Sequence, residues 1–173
     1  EFLKQIRRDS NVQADPKLYP TRLDSAELYE FPFAIMTGEG NFSLTSPQRE
    51  SLRNYLTSGG FVIASAGCSD RSWAQSFRRE LKRVFPEYNL TALDSSHPIF
   101  HTIYDIPKLD LGKSSGQAQL EGLEIDGKIA LVFSSDGLND SGKVSDDCCC
   151  CGGNEIKNAR QVNCNLLAYT LTH

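Results

Sequence analysis

The sequence predicts an α/β fold of three layers, in which helices cover both faces of a mostly parallel sheet. Two short runs at residues 33–36 and 61–64 are apolar throughout, as is typical of strands buried on both faces. Each run is followed by a segment with helical spacing of apolar residues, which favours parallel strands joined by helices. Asp126-Gly127 separates two strand-like segments, 123–125 and 128–134, and signals a two-residue β-hairpin. An antiparallel pair is therefore expected at one side of the sheet.

The length and charge of the chain limit its function classes. The 173 residues are enough for one α/β domain with a sizeable core, and no linker or repeat divides residues 1–173. A net charge of −4 gives the chain as a whole no attraction to nucleic acid, and no apolar run is long enough to span a bilayer. A protein partner is compatible with this composition, whereas a nucleic-acid partner and a transmembrane segment are not expected.

Signals for the elements follow in order from the amino terminus. A short amphipathic helix is predicted at residues 1–8, a strand at 19–23 and a capped helical turn at 26–29. After the first apolar run, Ser46-Pro47 begins a helix, because serine caps helices and proline suits the first turn. Gly59-Gly60 ends this helix.

The second half of the chain continues the alternation less regularly. Ser69 or Asp70 would cap the helix that follows the second apolar run, and a strand is predicted at 90–93. A polar loop covers 136–147, and Asn154 is predicted to cap the last helix. The apolar stripe predicted for that last helix consists of Ile156, Ala159, Val162, Leu166 and Tyr169.

Four consecutive cysteines carry the strongest chemical signal of the chain. Cys148 and Cys151 form a C-x-x-C pair that runs into Gly152-Gly153, which resembles half of a thiolate knuckle. Thiolates bind zinc and iron–sulfur clusters, so a zinc ion or an iron–sulfur cluster is the expected cofactor. The alternatives are a redox or disulfide role and a loop without a ligand. Because the cysteines are not spaced as a disulfide framework, a reducing, cytoplasmic compartment is slightly favoured, although the compartment is not determined.

The topology predicts that these cysteines meet other unusual residues. Ligands of open α/β sheets bind at the carboxyl ends of the strands, where the loops after both apolar runs and the cysteine run are expected to lie. The predicted metal ligands are therefore Cys68, Cys148, Cys149, Cys150 and Cys151. Further candidate ligand-binding residues are Gly38, Glu39, Gly40 and His97.

Distances follow from this arrangement. The sulfur of Cys68 is expected within about 4 Å of at least one sulfur of the cysteine run, as for ligands around one ion. The alternative for Cys68 is a small buried residue. Cys164 is predicted to be a core cysteine, because it lies too far along the last helix to share that ion.

An enzyme is the rival interpretation. Cys68 stands where several α/β hydrolases and amidotransferases present a nucleophile, at a turn between a strand and a helix. The pattern G-x-C-x-G is absent, however, and a base would have to come from His97, His101 or His173. No catalytic residue is therefore assigned. A third interpretation is a protein-interaction module whose cysteines bind no metal.

Several segments together resemble a bacterial family of unknown function across nearly the whole chain. They are residues 29–42 (YEFPFAIMTGEGNF), 52–56 with 59–61, 97–100 and 165–173. The resemblance implies a class I glutamine amidotransferase-like, flavodoxin-like domain without an evident catalytic triad. Members occur near MoxR-type ATPases or beside squalene-cyclase-like repeats. A Cys-rich subgroup, associated with planctomycete-like bacteria, carries cysteine at the positions of Cys68 and the cysteine run.

The chain departs from that family in two ways. Glu39 replaces the usual histidine of the motif, which puts any role of that histidine in doubt here. The first strand of the family would precede Glu1, so the domain is expected to lack it. The resemblance brings no established activity, and function stays a hypothesis.

Overall fold

The computed structural model describes residues 2–112, 115–138 and 155–173. Within these residues the helices are α1 (Phe2–Asp9), α2 (Ser46–Thr57), α3 (Arg71–Val84) and α4 (Ala159–Thr172). The strands are β1 (Phe33–Gly38), β2 (Phe61–Ala66), β3 (Leu90–Ala92), β4 (Leu120–Ile125) and β5 (Lys128–Ser134). Short 3-10 turns cover Ala26–Glu30, Gly67–Ser69 and Pro98–Phe100.

The described strands form one mixed sheet in the order β1-β2-β5-β4-β3. β1 pairs in parallel with β2, and β2 with β5. β4 is antiparallel to β5 and β3 is antiparallel to β4, so β4 runs against the other four strands. The predicted α/β class is confirmed, as is the antiparallel hairpin at one side of a mostly parallel sheet.

α2 and α3 cover one face of this sheet. Trp73 of α3 stacks on Phe77, and Phe77 stacks on Phe133 of β5, with ring centroids 5.3 Å and 4.9 Å apart. Leu81 and Val84 continue the same buried side of α3. The helical spacing of these apolar residues was therefore a correct signal, because it places one stripe of α3 against the sheet.

α1 and α4 cover the opposite face. Val162 and Leu166 of α4 pack with Ile63 of β2 in one buried cluster. Phe2 of α1 packs with Cys164 of α4 in another. Phe2 also contacts Phe33 of β1, so α1 and α4 pack side by side on this face, and Asn163 of α4 reaches the carboxyl edge of β2.

The ends of the elements follow the predicted capping chemistry with one shift. Asp70 caps α3 by accepting the Trp73 backbone N–H at 2.7 Å. α2 is capped by Thr45 rather than Ser46. Asp126 and Gly127 have φ angles of 52° and 80°, so the predicted two-residue hairpin turn is confirmed.

One predicted element, and the start of another, are wrong. Residues 19–23 form no strand, and Pro20 within them has no backbone N–H to donate to a ladder. The last helix begins at Ala159, and the predicted cap Asn154 lies outside the described residues. Ile156 is not helical, because its N–H donates to Gly137 O at 3.0 Å and it forms a bridge with Leu111.

No membrane-spanning helix is present in the part of the chain that the structure describes. None of the helices found there combines the length and the apolar character that crossing a membrane requires.

Candidate functional site

A cavity of about 370 Å³ lies at the carboxyl edge of the parallel strands. The residues that line it come from α1, the segment before β1, β1 and β2 with the loops that follow them, the segment after β5, and α4 with the residues before it. Its lining residues are Phe2, Leu18, Ile35, Thr37, Glu39, Ile63, Ser65, Ala66, Gly67, Cys68, Gly137, Leu138, Glu155 and Asn163. This is the place where the topology of an α/β sheet puts a ligand.

Hydroxyl side chains cross the sheet beside the cavity. Thr37 of β1 is in register with Ser65 of β2, and Ser65 is in register with Ser134 of β5. Residues in register on parallel strands share a face, and these three alternate with the apolar residues that contact α2 and α3. They therefore lie on the face that α1 and α4 cover.

Cys68 follows β2 directly and lines the cavity. Its φ and ψ of 51° and 27° lie in the left-handed region, and the φ of Ser69 is 53°. Residues other than glycine adopt this conformation infrequently, and it occurs often at ligand sites and active sites. The Ser69 hydroxyl oxygen accepts the Gly137 N–H at 3.1 Å, which ties the turn to the segment after β5.

The loop after β1 contacts the turn after β2, as the sequence predicted. A Cβ on Gly67 would lie 2.9 Å from Gly38 O and 3.3 Å from Glu39 Cγ. Asp70 accepts the Gly40 N–H at 3.2 Å, and the φ of Gly40 is 75°. Of this loop, the exposed side chain of Glu39 is the part that borders the cavity.

The two cysteines among the described residues, Cys68 and Cys164, lie in different environments. Cys68 is disulfide-bonded. Cys164 forms no disulfide, is fully buried and donates its Sγ–H to Phe2 O at 3.5 Å, so its prediction as a core residue is confirmed. Cys148 to Cys151 lie outside the described residues, and the predicted sulfur–sulfur distance to Cys68 therefore stays a prediction.

A metal centre built from described residues alone is not found. Among residues 2–112, 115–138 and 155–173, no three His, Cys, Asp or Glu side chains are grouped so that they could hold an ion. Cys68 is the one predicted thiolate ligand that belongs to these ranges. A disulfide sulfur is not a thiolate, so Cys68 can bind a metal only after reduction.

Two polar residues of the cavity were not expected from the sequence. Asn163 is buried, and its Nδ2 donates to Leu138 O at 3.1 Å, while its Oδ1 is buried without a hydrogen-bond partner. Glu155 is buried beside Gly137. A Cβ added to Gly137 would lie 2.0 Å from a carboxylate oxygen of Glu155. The sequence signal for Asn163 was its position as a polar residue directly after Val162, which belongs to the predicted apolar stripe of the last helix. No pattern in the sequence pointed to Glu155.

Asp136 adds a carboxyl group just beyond β5. Burial raises the pKa of Asp136 above its ordinary value of 3.8. The preceding Ser134 hydroxyl donates to Asp136 O at 2.7 Å and accepts the Asp136 N–H at 3.2 Å. The segment after β5 is thereby held in a tight turn that leads to Gly137 at the cavity wall.

The histidines lie elsewhere. His97, a predicted ligand-binding residue, packs its ring 5.8 Å from that of Tyr169 near the end of α4. Burial and the nearby charge of His173 lower the pKa of His97. His101 is bonded to Ser95 O and Asp105, which raise its pKa. No histidine is among the described residues that line the cavity, so none is placed as a base for Cys68.

Comparison with known proteins identifies the family. Residues 1–171 match the family described as "Domain of unknown function (DUF4159)", and the chain therefore belongs to it. A search of curated proteins finds no match. The family carries no assigned activity, so function has to be argued from the site.

Proposed function

We propose that this member of the DUF4159 family is a cysteine-based module that binds zinc or an iron–sulfur cluster when its thiols are reduced. Cys68 would act together with thiolates of Cys148 to Cys151 at the carboxyl edge of the sheet. The bound metal would serve a structural, electron-transfer or partner-docking role. The oxidised form of the same site would hold the disulfide of Cys68.

The observation that carries this proposal is the disulfide at Cys68. Of the six cysteines in the sequence, Cys164 forms no disulfide and is buried among side chains of α1 and α4. The partner sulfur that we propose is therefore one of the four in the cysteine run. A sulfur within bonding distance of Cys68 in the oxidised state is close enough to share a metal ion with it in the reduced state.

The position of Cys68 supports the same proposal. It lies on a tight left-handed turn that borders an open cavity, so its sulfur is not enclosed in the core. Closing the disulfide releases two protons and two electrons, which an oxidant such as oxidised glutathione accepts. Reduction returns two thiols, and deprotonation then supplies two thiolates to the metal.

Elemental analysis tests the metal part of the proposal. We expect protein purified without oxygen, with a phosphine reductant, to hold about one zinc ion or one cluster per chain. Cys68→Ser should lower this content severalfold, because one ligand is lost, whereas Cys164→Ser should leave it unchanged. Absorption in the visible range would identify a cluster rather than zinc. A reduced wild-type protein that takes up neither zinc nor a reconstituted cluster would contradict the proposal.

Peptide mapping tests the cysteine pairing separately. Trypsin would release Cys68, the cysteine run and Cys164 on three different peptides, because Arg53, Arg71, Lys143, Lys157 and Arg160 flank them. In oxidised protein we expect the peptide of Cys68 to be linked to residues 144–157. A link to residues 161–173 would show that the pairing is wrong.

A Cys68-dependent hydrolase or amidotransferase relative is the second candidate. The left-handed backbone at Cys68, between β2 and α3, favours it, and so does the proposed flavodoxin-like, amidotransferase-like version of this α/β fold. The absence of histidine among the described lining residues argues against it. We expect glutaminase and esterase activity of the reduced protein to stay at background. A stoichiometric acyl-enzyme at Cys68 would favour the enzyme instead.

A further inference from the structure

The cavity beside Cys68 has the shape and walls of a small-molecule site. Its volume of about 370 Å³ falls in the range of pockets that hold small ligands. Five large apolar side chains form much of its wall, and they come from α1, the segment before β1, both strands and the segment after β5. They are Phe2, Leu18, Ile35, Ile63 and Leu138. Such walls suit a ligand with a short apolar chain.

A buried acceptor without a partner indicates what the polar end of a ligand must be. Asn163 lines the cavity and is only 4% exposed. Its Nδ2 is already bonded to Leu138 O, which fixes the orientation of the amide and leaves Oδ1 as an acceptor without a donor. Leaving a buried acceptor unpaired costs free energy, and a ligand N–H would remove that cost.

The charges of the lining residues indicate whether the ligand is a cation or an anion. Glu39 borders the cavity with an exposed carboxylate side chain. The described residues that line the cavity include no Lys, Arg or His. A described lining that offers a carboxylate and an acceptor but no cationic side chain attracts a cation and repels an anion.

We propose that this cavity binds a small organic cation, a primary ammonium group on a short apolar chain. An ammonium N–H donates to Asn163 Oδ1, the positive charge is attracted by Glu39, and the chain lies against the apolar wall. This site is separate from the metal chemistry proposed above, although Cys68 borders both.

Four probes with the same butyl chain separate the parts of this proposal. n-Butylammonium has the charge and the N–H donors, butyltrimethylammonium has only the charge, n-butanol has only a donor, and butyrate has the opposite charge. Each is titrated into the oxidised full chain, without added metal, and amide shifts are followed by NMR. We expect n-butylammonium to shift the signals of Gly67 and Gly137 and to bind at least fivefold more tightly than the other three.

Variants locate the binding. Glu39→Gln keeps the shape of an exposed side chain, and we expect it to weaken n-butylammonium at least threefold without changing n-butanol. Glu30→Gln is the control, because Glu30 is also exposed but precedes the opposite end of β1. Asn163→Leu should weaken n-butylammonium more than butyltrimethylammonium, because only the former donates an N–H.

The outcomes decide the proposal. If Asn163→Leu does not fold, Glu39→Gln and the four probes still give the answer. Equal affinities for all four probes, shifts outside the cavity, or a Glu39→Gln variant that binds n-butylammonium as the wild type does would each overturn it. Since the experiment uses oxidised protein without metal, its failure would leave the metal and disulfide proposal untouched.

Discussion

Asp70 joins two loops of the site, because one carboxylate oxygen accepts both the Trp73 N–H at the start of α3 and the Gly40 N–H after β1. The two bonds measure 2.7 Å and 3.2 Å. A single side chain thus caps a helix and fixes the loop that carries Glu39. The turn that holds Cys68 and the loop that borders the cavity are therefore positioned together.

Replacing Asp70 tests this link. We expect Asp70→Ala to lower the free energy of unfolding by about 1–2 kcal/mol, because the cap of α3 is lost. Asp70→Asn keeps an acceptor and should cost less than about 0.5 kcal/mol. Urea denaturation gives both values, and hydrogen exchange should show faster exchange of the Gly40 amide in Asp70→Ala alone. Equal stability of the two variants would contradict the capping role.

Glu80 predicts a dependence of stability on pH. Its side chain is 1% exposed and contacts Arg49 and Arg83 at 3.0 Å and 2.7 Å. Burial raises the pKa of Glu80, but a backbone hydrogen bond at Leu44 and the two arginines outweigh it, so the pKa is below its ordinary value of 4.5. A lowered carboxyl pKa contributes stability above that ordinary value, and this contribution is lost as the pH falls further through the folded-state pKa.

Glu80→Gln should remove this effect. We expect a loss of about 2–3 kcal/mol at neutral pH, because the arginines lose their buried partner. The fall in stability below pH 4.5 should also be less steep than in the wild type. Glu87→Gln is the control, since its pair with Arg53 is exposed to solvent and therefore contributes little to stability. Urea denaturation across pH 3–7 measures both, and identical pH profiles for wild type and Glu80→Gln would refute the prediction.

Glycine is required at position 60 because the ring of Tyr55 lies close to its backbone, and not because of its backbone angles. A Cβ there would lie 2.4 Å from Cζ of Tyr55, whose hydroxyl donates to Phe31 O at 2.7 Å. We expect Gly60→Ala to cost about 2–3 kcal/mol through overpacking. Gly59→Ala is the matched control, because that site has open space but a φ of 103°, and about 1 kcal/mol is expected. Thermal unfolding should rank the two, and the reverse order would show that the ring moves aside.

Reductant should act on stability through Cys68. The proposed disulfide closes a loop of about 80 residues, so its reduction in metal-free protein should lower the free energy of unfolding by about 2–4 kcal/mol. We expect Cys68→Ser to be insensitive to reductant and to match the reduced wild type. Cys164→Ala should keep the full response, because Cys164 is a core residue that forms no disulfide. Guanidinium denaturation with and without reductant measures this, and a wild type that does not respond would argue against the disulfide.

The meeting of the loops after β1 and β2 was predictable because it depends on strand direction alone. Once two apolar runs are taken as parallel neighbours, their carboxyl ends share an edge, which brings Glu39 and Cys68 together. The hairpin at Asp126-Gly127 was predictable for a local reason, since both residues favour positive φ.

Asn163 and Glu155 could not be placed in the same way. Asn163 reaches the cavity because of the rotation of α4 against the sheet, which depends on the packing of Val162 and Leu166. Glu155 is held by an extended bridge to Gly137, although its position before an apolar stripe suggested the first turn of a helix. In both cases the position of the side chain depends on contacts with residues far away in the sequence, which the local sequence pattern does not reveal.

The central position of β5 has a consequence for synthesis on the ribosome. β2 emerges before β5, yet its inner edge pairs only with β5, whose last residue is Ser134. Until that point the nascent β1 and β2 present an open row of backbone donors and acceptors flanked by apolar side chains, which is a surface prone to mispairing. Prompt translation of the hairpin would therefore shorten the time during which this edge is open to mispairing.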